Sequence, residues 1–253
     1  MKLTLEGRTA LVTGANGGLG SHFARTLAKA GAKVAVAARR VDSLREVCDA
    51  IVSAAGHAEA FALDVTDAAS VARAFDQAAA SLGPVTVVVN NAGIAVTKPV
   101  LEHTEEDWRQ VIEVNLNGAW RVAQAAARHM VKHEQGGSIV NIASILGLRV
   151  SAQVPSYAAS KAALIQLTKA MALELARYRI RVNALAPGYV ETGINREFFE
   201  SDAGQALIKR VPQRRIGRPE ELDGALLLLA SDAGSYTTGA VLAVDGGHLV
   251  NTL

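Results

Sequence analysis

Residues 8–20, which read RTALVTGANGGLG, join a short apolar run to a cluster of glycines. The run at 8–13 is rich in apolar and β-branched residues, as buried strands are. The residues at 18–30 carry apolar side chains at helical spacing. The segment therefore predicts a strand, a tight glycine-rich turn and a helix, in that order.

The same alternation recurs along the chain. Six further apolar runs, at 33–38, 58–63, 85–89, 138–142, 181–186 and 241–244, are each followed by small or polar residues, and 157–177 has helical spacing. Strands that alternate with helices are joined by right-handed crossovers and form a parallel sheet. We therefore predict an α/β fold. It is a Rossmann-type, doubly wound parallel β-sheet of about seven strands with helices on both faces, as a single domain over 1–253.

Composition narrows the class of protein. Half of the residues are hydrophobic, the formal net charge is +2, and no dense block of Lys and Arg occurs, which disfavours nucleic-acid binding. Cys48 is the one cysteine and sits in a predicted helix, where we interpret it as a small core residue. The first eight residues do not resemble a signal peptide, and the apolar block at 225–230 is too short to span a membrane. These features predict a cytoplasmic location.

The glycine-rich turn indicates a dinucleotide site. Gly14, Gly18 and Gly20 have no side chains to keep a pyrophosphate away, and the helix that follows offers free N–H groups. The spacing is Gly-x3-Gly-x-Gly, and no Lys-Ser/Thr pair follows as in kinase-type phosphate loops. A glycine cluster alone also fits a tight turn that packs a helix on a strand, but its position after the first strand favours the binding site.

The end of the second strand bears on the choice of dinucleotide. NAD sites usually place a carboxylate there, whereas this chain has Ala38 followed by Arg39 and Arg40. A guanidinium can bind a 2′-phosphate through two hydrogen bonds, so we predict NADP(H) rather than NAD(H). Solvated surface arginines are the alternative. Asp42 is interpreted as a helix N-cap.

Tyr157 and Lys161 are four residues apart and so share one helix face. A phenol has a reference pKa of ~10, which is high for acid–base work at neutral pH. A lysine ammonium about 4 Å away would lower that pKa, and Ser144, after the fifth strand, could orient a substrate oxygen. Taken alone, Tyr-x3-Lys is an ordinary helical pair.

The motifs together are more specific than any one of them. Thr13-Gly14-x3-Gly18-x-Gly20, Asn90-Asn91-Ala92-Gly93, Asn115, Ser144, Tyr157-x3-Lys161 and Pro187-Gly188 occur in this order. The set resembles the short-chain dehydrogenase/reductase family over essentially the whole chain. The resemblance implies an enzyme that interconverts a ketone and a secondary alcohol by hydride transfer, without a metal.

The resemblance also implies roles for individual residues. Tyr157 would be the acid/base, Ser144 the stabiliser of the substrate oxygen, and Lys161 a pKa shifter that also binds the nicotinamide ribose. Asn115 would hold a water that links Lys161 to solvent, although alone it could simply bend a helix. The implied cofactor-binding residues are Gly14, Asn16, Gly18, Leu19, Gly20, Arg39, Arg40, Asp64, Val65, Asn91, Ala92, Gly93, Tyr157, Lys161, Pro187, Gly188, Val190 and Thr192.

Within that set, Asp64 and Val65 would contact the adenine, and Val190 and Thr192 the nicotinamide carboxamide. Asp64 alone could equally be a turn residue. Some NADP-binding members carry a basic residue in the glycine loop, where this chain has Asn16-Gly17. The 2′-phosphate would therefore depend mainly on Arg39.

The segment at 189–215, which contains Phe198 and Phe199, is predicted to be a substrate lid. The predicted substrate residues are Ser144, Val150, Gln153, Tyr157 and Tyr189. They suggest a mostly apolar pocket for a ketone, a cyclic alcohol, a 3-oxoacyl thioester or a steroid-like compound. The resemblance also implies a homotetramer, and the Ala-rich helices around 116–129 and 157–177 could pack across a two-fold axis or only on the sheet.

His129 and His133 are four residues apart and could suggest half of a zinc site, but no third ligand is apparent, so we predict no metal. We interpret both histidines as complements to the dipole of a helix C-terminus.

Two rival functions stay open beside a general carbonyl reductase or alcohol dehydrogenase. A 3-oxoacyl-(acyl-carrier-protein) reductase would need a basic docking patch, to which Arg128, Lys132, Arg177 and Arg179 could contribute. A cofactor-binding regulatory protein without chemistry would not need Asn115, Ser144, Tyr157 and Lys161 together.

Overall fold

A computed structural model describes residues 3–191 and 196–250. Its centre is a parallel sheet of seven strands in the order β3-β2-β1-β4-β5-β6-β7. The strands are β1 (Thr9–Thr13), β2 (Lys33–Ala38), β3 (His57–Ala62), β4 (Val85–Asn90), β5 (Gly137–Ile142), β6 (Ile180–Pro187) and β7 (Val241–Val244). The predicted fold class is confirmed.

The α-helices described by the structure cover both faces of the sheet. Their bounds are α1 (Gly18–Lys29), α2 (Arg45–Ser53), α3 (Ala68–Leu82), α4 (Glu105–Ile112), α5 (Ala119–Lys132), α6 (Pro155–Leu175), α7 (Arg196–Glu200), α8 (Asp202–Ile208) and α9 (Asp223–Ala230). Phe23 of α1 and Leu226 of α9 pack in the core on one face, and Phe75 of α3 and Met171 of α6 pack in the core on the other.

The strands are buried on both faces because consecutive residues enter different cores. In β1, Ala10 and Val12 belong to the core under α1, while Leu11 belongs to the core under α3. This alternation explains why the strands read as continuous apolar runs. The predicted strand bounds agree with the observed ones to within one residue at either end.

The strand order reverses direction at β1, because β2 follows on one side of it and β4 on the other. A crevice opens at such a point, outside the carboxyl ends of the strands. The glycine-rich turn after β1 and the Asn90-Asn91-Ala92-Gly93 segment after β4 both lie there. The fold therefore places the sequence motifs at the position where ligands bind in sheets of this type.

A chain of buried polar side chains connects β4, β5 and α6. The amide nitrogen of Asn90 donates to Asn141 Oδ1 (3.2 Å), and the amide nitrogen of Asn141 donates to Thr168 Oγ1 (2.9 Å). Asn90 also donates to the carbonyl oxygen of Ala119 (2.7 Å). Asn90 and Asn141 are paired residues in the β4–β5 register. Because the polar atoms are hydrogen-bonded, these side chains are tolerated in the core.

Two interpretations of polar residues were wrong in detail. Asp42 is not a helix N-cap; it lies inside a 3₁₀ turn, Val41–Leu44, whose N-cap residue is Arg40. His129 does not complement a helix dipole as a cation. Burial lowers its pKa to about 4, and Nε2 accepts a hydrogen bond from the backbone N–H of Val85 (3.1 Å), so the ring is neutral at pH 7.

Cys48 lies in α2, partly buried against the core, as its interpretation required. No helix in the described part of the chain is long and apolar enough to cross a membrane. Within residues 3–191 and 196–250, no group of three or more His, Cys, Asp or Glu side chains could hold a metal ion. The rings of His129 and His133 lie with centroids 4.4 Å apart and planes tilted by 44°.

Candidate active site

The turn after β1 brings backbone close to backbone. Gly14 has φ of 64°, a conformation that favours glycine, and a Cβ on it would lie 3.0 Å from Ala92 Cα. A Cβ on Gly20 would overlap the carbonyl oxygen of Gly14. Any side chain at Gly20 would push α1 away from the turn. These two glycines are therefore required by the close approach of the turn, α1 and the segment after β4.

Asn91 and Thr13 connect the ends of β4 and β1. The hydroxyl of Thr13, buried completely, accepts hydrogen bonds from the backbone N–H groups of Asn91 and Ala92 (3.0 Å each). The Asn91 amide nitrogen donates to the carbonyl oxygens of Thr13 (3.0 Å) and Gly14 (3.3 Å). Asn91 thus acts here as a brace for the glycine turn. Thr13 belongs to the sequence motif, but nothing in the motif indicates that its hydroxyl connects the two strand ends.

A cavity of about 460 Å³ lies beyond the ends of β2 and β3. Burial raises the pKa of Asp64, but hydrogen bonds from the backbone and hydroxyl of Thr66, together with the nearby Arg39 guanidinium, outweigh burial and hold this pKa below its usual range. Arg39 lines the cavity, whereas Arg40 does not. The lining residues are Gly14, Ala38, Arg39, Leu63, Asp64, Val65, Thr66, Ala92, Gly93, Ile94, Gln110 and Val114.

A second cavity, of about 490 Å³, lies beyond the ends of β1, β4, β5 and β6. It shares Gly14, Ala92, Gly93 and Ile94 with the first, so the two form one continuous cleft. Its other lining residues are Gly17, Gly18, Leu19, Gly20, Asn91, Ala95, Ile142, Ala143, Ser144, Tyr157, Lys161, Pro187, Gly188, Tyr189 and Val190.

This cleft fits an extended dinucleotide. The glycines of the turn leave backbone exposed at its middle, a cation (Arg39) lies at one end, and Ser144, Tyr157 and Lys161 lie at the other. A ligand with a pyrophosphate between two nucleosides would place its phosphates beside the start of α1. The residues present therefore fit the implied cofactor.

Ser144 and Tyr157 meet inside the second cavity. Burial raises the pKa of Tyr157, a hydrogen bond from the Ser144 hydroxyl partly offsets this, and the nearby Tyr189 adds to the increase. The pKa of Tyr157 is therefore above its ordinary value. The expectation that Lys161 lowers it is not met in this structure, because burial dominates.

Lys161 is almost completely buried, and its ammonium donates to the carbonyl oxygen of Ile142 (2.7 Å). Its Nζ lies 5.5 Å from the centre of the Tyr157 ring. Burial lowers the pKa of Lys161 to about 8. The amine can therefore gain and lose a proton close to neutral pH.

Asn115 lies in a π-helical turn, Glu113–Gly118, between α4 and α5. Its amide makes a pair of hydrogen bonds with the backbone of Ile94, both of 2.8 Å: Oδ1 accepts from the N–H, and Nδ2 donates to the carbonyl oxygen. A Cβ on Gly93 would lie 3.3 Å from Asn115 Oδ1 and 3.6 Å from Lys161 Nζ. The structure thus brings Asn115 and Lys161 to the same side of Gly93.

Several other predicted site residues do not line the two cavities of the cleft or lie outside the described residues. Val150 is largely exposed, Gln153 lies in an exposed turn with φ of 66°, and neither lines the two cavities. Asn16 is exposed on the glycine turn and lines neither cavity. Thr192 and the side chain of Phe198 lie outside the described residues. Phe199, from the predicted lid, is buried with its ring centroid 6.1 Å from that of Tyr189.

Comparisons with known proteins cover nearly the whole chain. A family model described as "Enoyl-(Acyl carrier protein) reductase" matches residues 14–248. The 3-oxoacyl-[acyl-carrier-protein] reductase FabG of Thermotoga maritima is 38% identical over 252 residues, which cover 98% of this chain and 100% of that protein. The cis-4-hydroxycyclohexanecarboxylate dehydrogenase of Sinomonas cyclohexanicum is 43% identical over 95% of this chain and 96% of its own.

Solved structures of similar proteins have the same fold as this chain. A short-chain type dehydrogenase/reductase from Mycobacterium marinum superposes with a TM-score of 0.93 at 42% identity, covering 98% of this chain and 97% of that one. A gluconate 5-dehydrogenase from Burkholderia cenocepacia, solved with NADP and tartrate, gives a TM-score of 0.94 at 38% identity, with 99% and 98% covered.

The fold, the cleft and these similarities define a dinucleotide-dependent oxidoreductase. The chain belongs to the short-chain dehydrogenase/reductase family. It is an enzyme that interconverts ketones and secondary alcohols, and its cofactor is NADP(H). The predicted family, reaction class and cofactor are confirmed.

Proposed function

We propose that Tyr157 is the general acid and base of this enzyme and that Ser144 holds the substrate oxygen beside it. The observation that carries the proposal is that Ser144 and Tyr157 line the same cavity, where Ser144 acts on the pKa of the Tyr157 hydroxyl. The Ser144 hydroxyl also accepts a hydrogen bond from the N–H of Leu146 (3.1 Å), which leaves its own proton available to donate. A substrate oxygen placed between the two hydroxyls would receive two hydrogen bonds.

The raised pKa of Tyr157 keeps its hydroxyl protonated at neutral pH, which suits the acid that delivers a proton to a carbonyl oxygen. When bound, the nicotinamide supplies the hydride for reduction or accepts it in oxidation. Lys161 lies beside the tyrosine ring with a pKa of about 8, so its amine can exchange a proton close to neutral pH. Asn115, on the same side of Gly93, supports return of the proton to Tyr157 by way of Lys161.

Removing only the tyrosine hydroxyl tests the proposal. We expect Tyr157→Phe to lower kcat by about 10³-fold or more, because general acid–base catalysis is lost. The Kd for NADPH, measured by fluorescence titration, should change by less than about threefold, since the ring remains. Tyr236→Phe, on a fully exposed tyrosine, is the matched control and should behave as the wild-type protein. Ordinary turnover by Tyr157→Phe would contradict the assignment.

For the substrate we propose a secondary alcohol or ketone on a compact, mostly apolar body. The similarity to a dehydrogenase of cis-4-hydroxycyclohexanecarboxylate supports a cyclic alcohol, and Tyr189 with the buried Phe199 supports an apolar wall. The similarity to FabG supports a second candidate, reduction of 3-oxoacyl thioesters on an acyl carrier protein. Arg128 and Lys132 border a groove on α5 that an acidic carrier protein could contact.

The two substrate classes are separated by direct comparison. Oxidation of cyclohexanol derivatives and reduction of matched ketones would be followed at 340 nm beside reduction of an acetoacetyl thioester, free and carrier-bound. We expect the highest kcat/KM for a cyclic substrate. A clear preference for the carrier-bound thioester would transfer the assignment to the second candidate.

We also propose a cytoplasmic homotetramer. A groove of about 580 Å³ runs between α5 and α6 and is lined by Trp120, Val131 and Tyr178, each of which is at least 40% exposed in the single chain. Packing of these two helices against a second copy would bury those side chains. The single Cys48, which cannot form a disulfide within the chain, suits a reducing compartment.

A further inference from the structure

Ser160 is a completely buried residue of α6, one position before Lys161. Its hydroxyl makes two hydrogen bonds that join separate parts of the site. It donates to the carbonyl oxygen of Tyr157 (2.7 Å) and accepts from Asn115 Nδ2 (3.1 Å). A single side chain thus connects the first turn of α6 to the π-helical turn that carries Asn115.

The bond from Asn115 matters because that amide has no contact with water. Asn115 is 1% exposed, its Oδ1 is used by the N–H of Ile94, and its Nδ2 donates to Ile94 and to Ser160. Without the Ser160 oxygen, one N–H of the amide would be left unpaired in a dry environment. The side chain would then gain freedom to shift or rotate.

The position of Asn115 is coupled to that of Lys161. Asn115 Oδ1 and Lys161 Nζ lie on the same side of Gly93, within 3.3 and 3.6 Å of the point where a Cβ would be. Ser160 precedes Lys161 on the same helix and contacts Asn115 directly. The Ser160 hydroxyl therefore links the helix that carries Lys161 to the Asn115 amide.

We propose that Ser160 is a positioning residue for proton transfer, which holds the Asn115 amide in register with Tyr157 and Lys161. The inference rests on the proposed function for these three residues. Ser160 does not itself line the cavity, so it acts through Asn115 and through the backbone of Tyr157.

The same helix offers a matched control. Ser156 is also completely buried in the first turn of α6, but its hydroxyl has no hydrogen-bond partner in the part of the chain that the structure describes. Ser156→Ala and Ser160→Ala remove the same atom from equally buried positions. They differ in the hydrogen bonds that are lost.

The test compares the two variants in steady-state assays with NADPH, in H₂O and D₂O, over pH 6–9. We expect Ser160→Ala to lower kcat by about tenfold with little change in KM, because proton delivery slows while substrate binding is kept. Its solvent deuterium isotope effect on kcat should exceed that of the wild-type enzyme. Ser156→Ala should match the wild-type enzyme in all three quantities.

Equal kcat and equal isotope effects in the two variants would overturn the proposal. Circular dichroism measures the folded fraction of each variant, and kcat is compared per folded enzyme. Ser160→Cys, which fills the same space with a weaker hydrogen-bonding group, carries the test if the alanine variant does not fold.

A second readout does not depend on activity. The side-chain amide of Asn115 gives its own ¹⁵N–¹H signals, and we expect Ser160→Ala, but not Ser156→Ala, to shift them and speed their exchange with water. Unchanged signals would refute the positioning role. If the wild-type enzyme binds NADPH yet converts no ketone or alcohol, the proposed function fails, and this measurement still decides the role of Ser160.

Discussion

At the scale of single residues, two adjacent arginines take different positions relative to the cleft. Arg39 lines the cavity at the ends of β2 and β3, close enough to Asp64 to help lower its pKa. Arg40 lies outside that cavity, and its carbonyl oxygen accepts hydrogen bonds from Ser43. We therefore expect preference for a 2′-phosphate to depend on Arg39 rather than on Arg40.

We expect Arg39→Ala to weaken NADPH binding by about 10- to 100-fold, as loss of a charge-assisted hydrogen bond does, and NADH binding by less than about twofold. Isothermal titration with each dinucleotide measures both effects. Arg40→Ala provides the comparison and should have the smaller effect on NADPH. Equal weakening of NADPH and NADH by Arg39→Ala would remove the structural basis of cofactor selectivity.

At the scale of elements, a hydrogen bond to His129 connects the end of α5 to the start of β4, and it requires a neutral imidazole ring. His129 accepts a hydrogen bond from the N–H of Val85, and protonation of Nε2 would replace that acceptor by a donor. Its pKa is lowered from 6.5 to about 4, mainly by burial. The unfolded chain therefore binds a proton at a higher pH than the folded protein does.

The difference between the His129 pKa values of the folded and unfolded states determines how stability changes with pH. Between pH 6.5 and 4 the unfolded state holds more protons at this site, so stability falls as the pH falls through that window. We expect the free energy of unfolding to drop by about 2 kcal/mol between pH 7 and pH 5 from this group alone. Urea denaturation at fixed protein concentration measures it.

His129→Gln should flatten that pH dependence, since the amide does not titrate. His133→Gln removes only a smaller cause of the lowered His129 pKa than burial, and it should retain most of the pH dependence. A wild-type slope in His129→Gln would show that the loss of stability in acid comes from other groups.

Sequence patterns predict the strands of this protein but not every feature of its active site. The strands were predicted closely because each is a short apolar run that ends at small or polar residues. The hydrogen bonds of the Asn115 side chain could not be predicted, because its partners Ile94 and Ser160 are distant in sequence. The raised pKa of Tyr157 also escaped prediction, since spacing shows that Lys161 is near but not how deeply both groups are buried.

At the scale of the whole molecule, the groove between α5 and α6 is the surface through which we propose that copies associate. Val131 lines this groove and is 40% exposed in the single chain. We expect Val131→Arg to shift the sedimenting species from tetramer to a smaller form, because it places a charge in an apolar interface near Arg128 and Lys132. Analytical ultracentrifugation measures the change.

Val52→Arg makes the same substitution on an exposed position of α2 and should leave the sedimentation coefficient as in the wild-type protein. If both variants sediment like the wild-type protein, the groove is not part of the interface.

The hydrogen-bonded side chains of Asn90, Asn141 and Thr168, which connect β4, β5 and α6, also affect the strand register of the sheet. Valines at consecutive positions of β4 are nearly interchangeable, so shape alone discriminates poorly against a strand that has slipped along its neighbour. A shift of the register by one residue would turn Asn90 to the opposite face of the sheet. The side-chain amides of Asn90 and Asn141 would then be buried among apolar side chains without their shared hydrogen bond. The few polar atoms in the otherwise apolar core therefore favour the correct strand register over a shifted one.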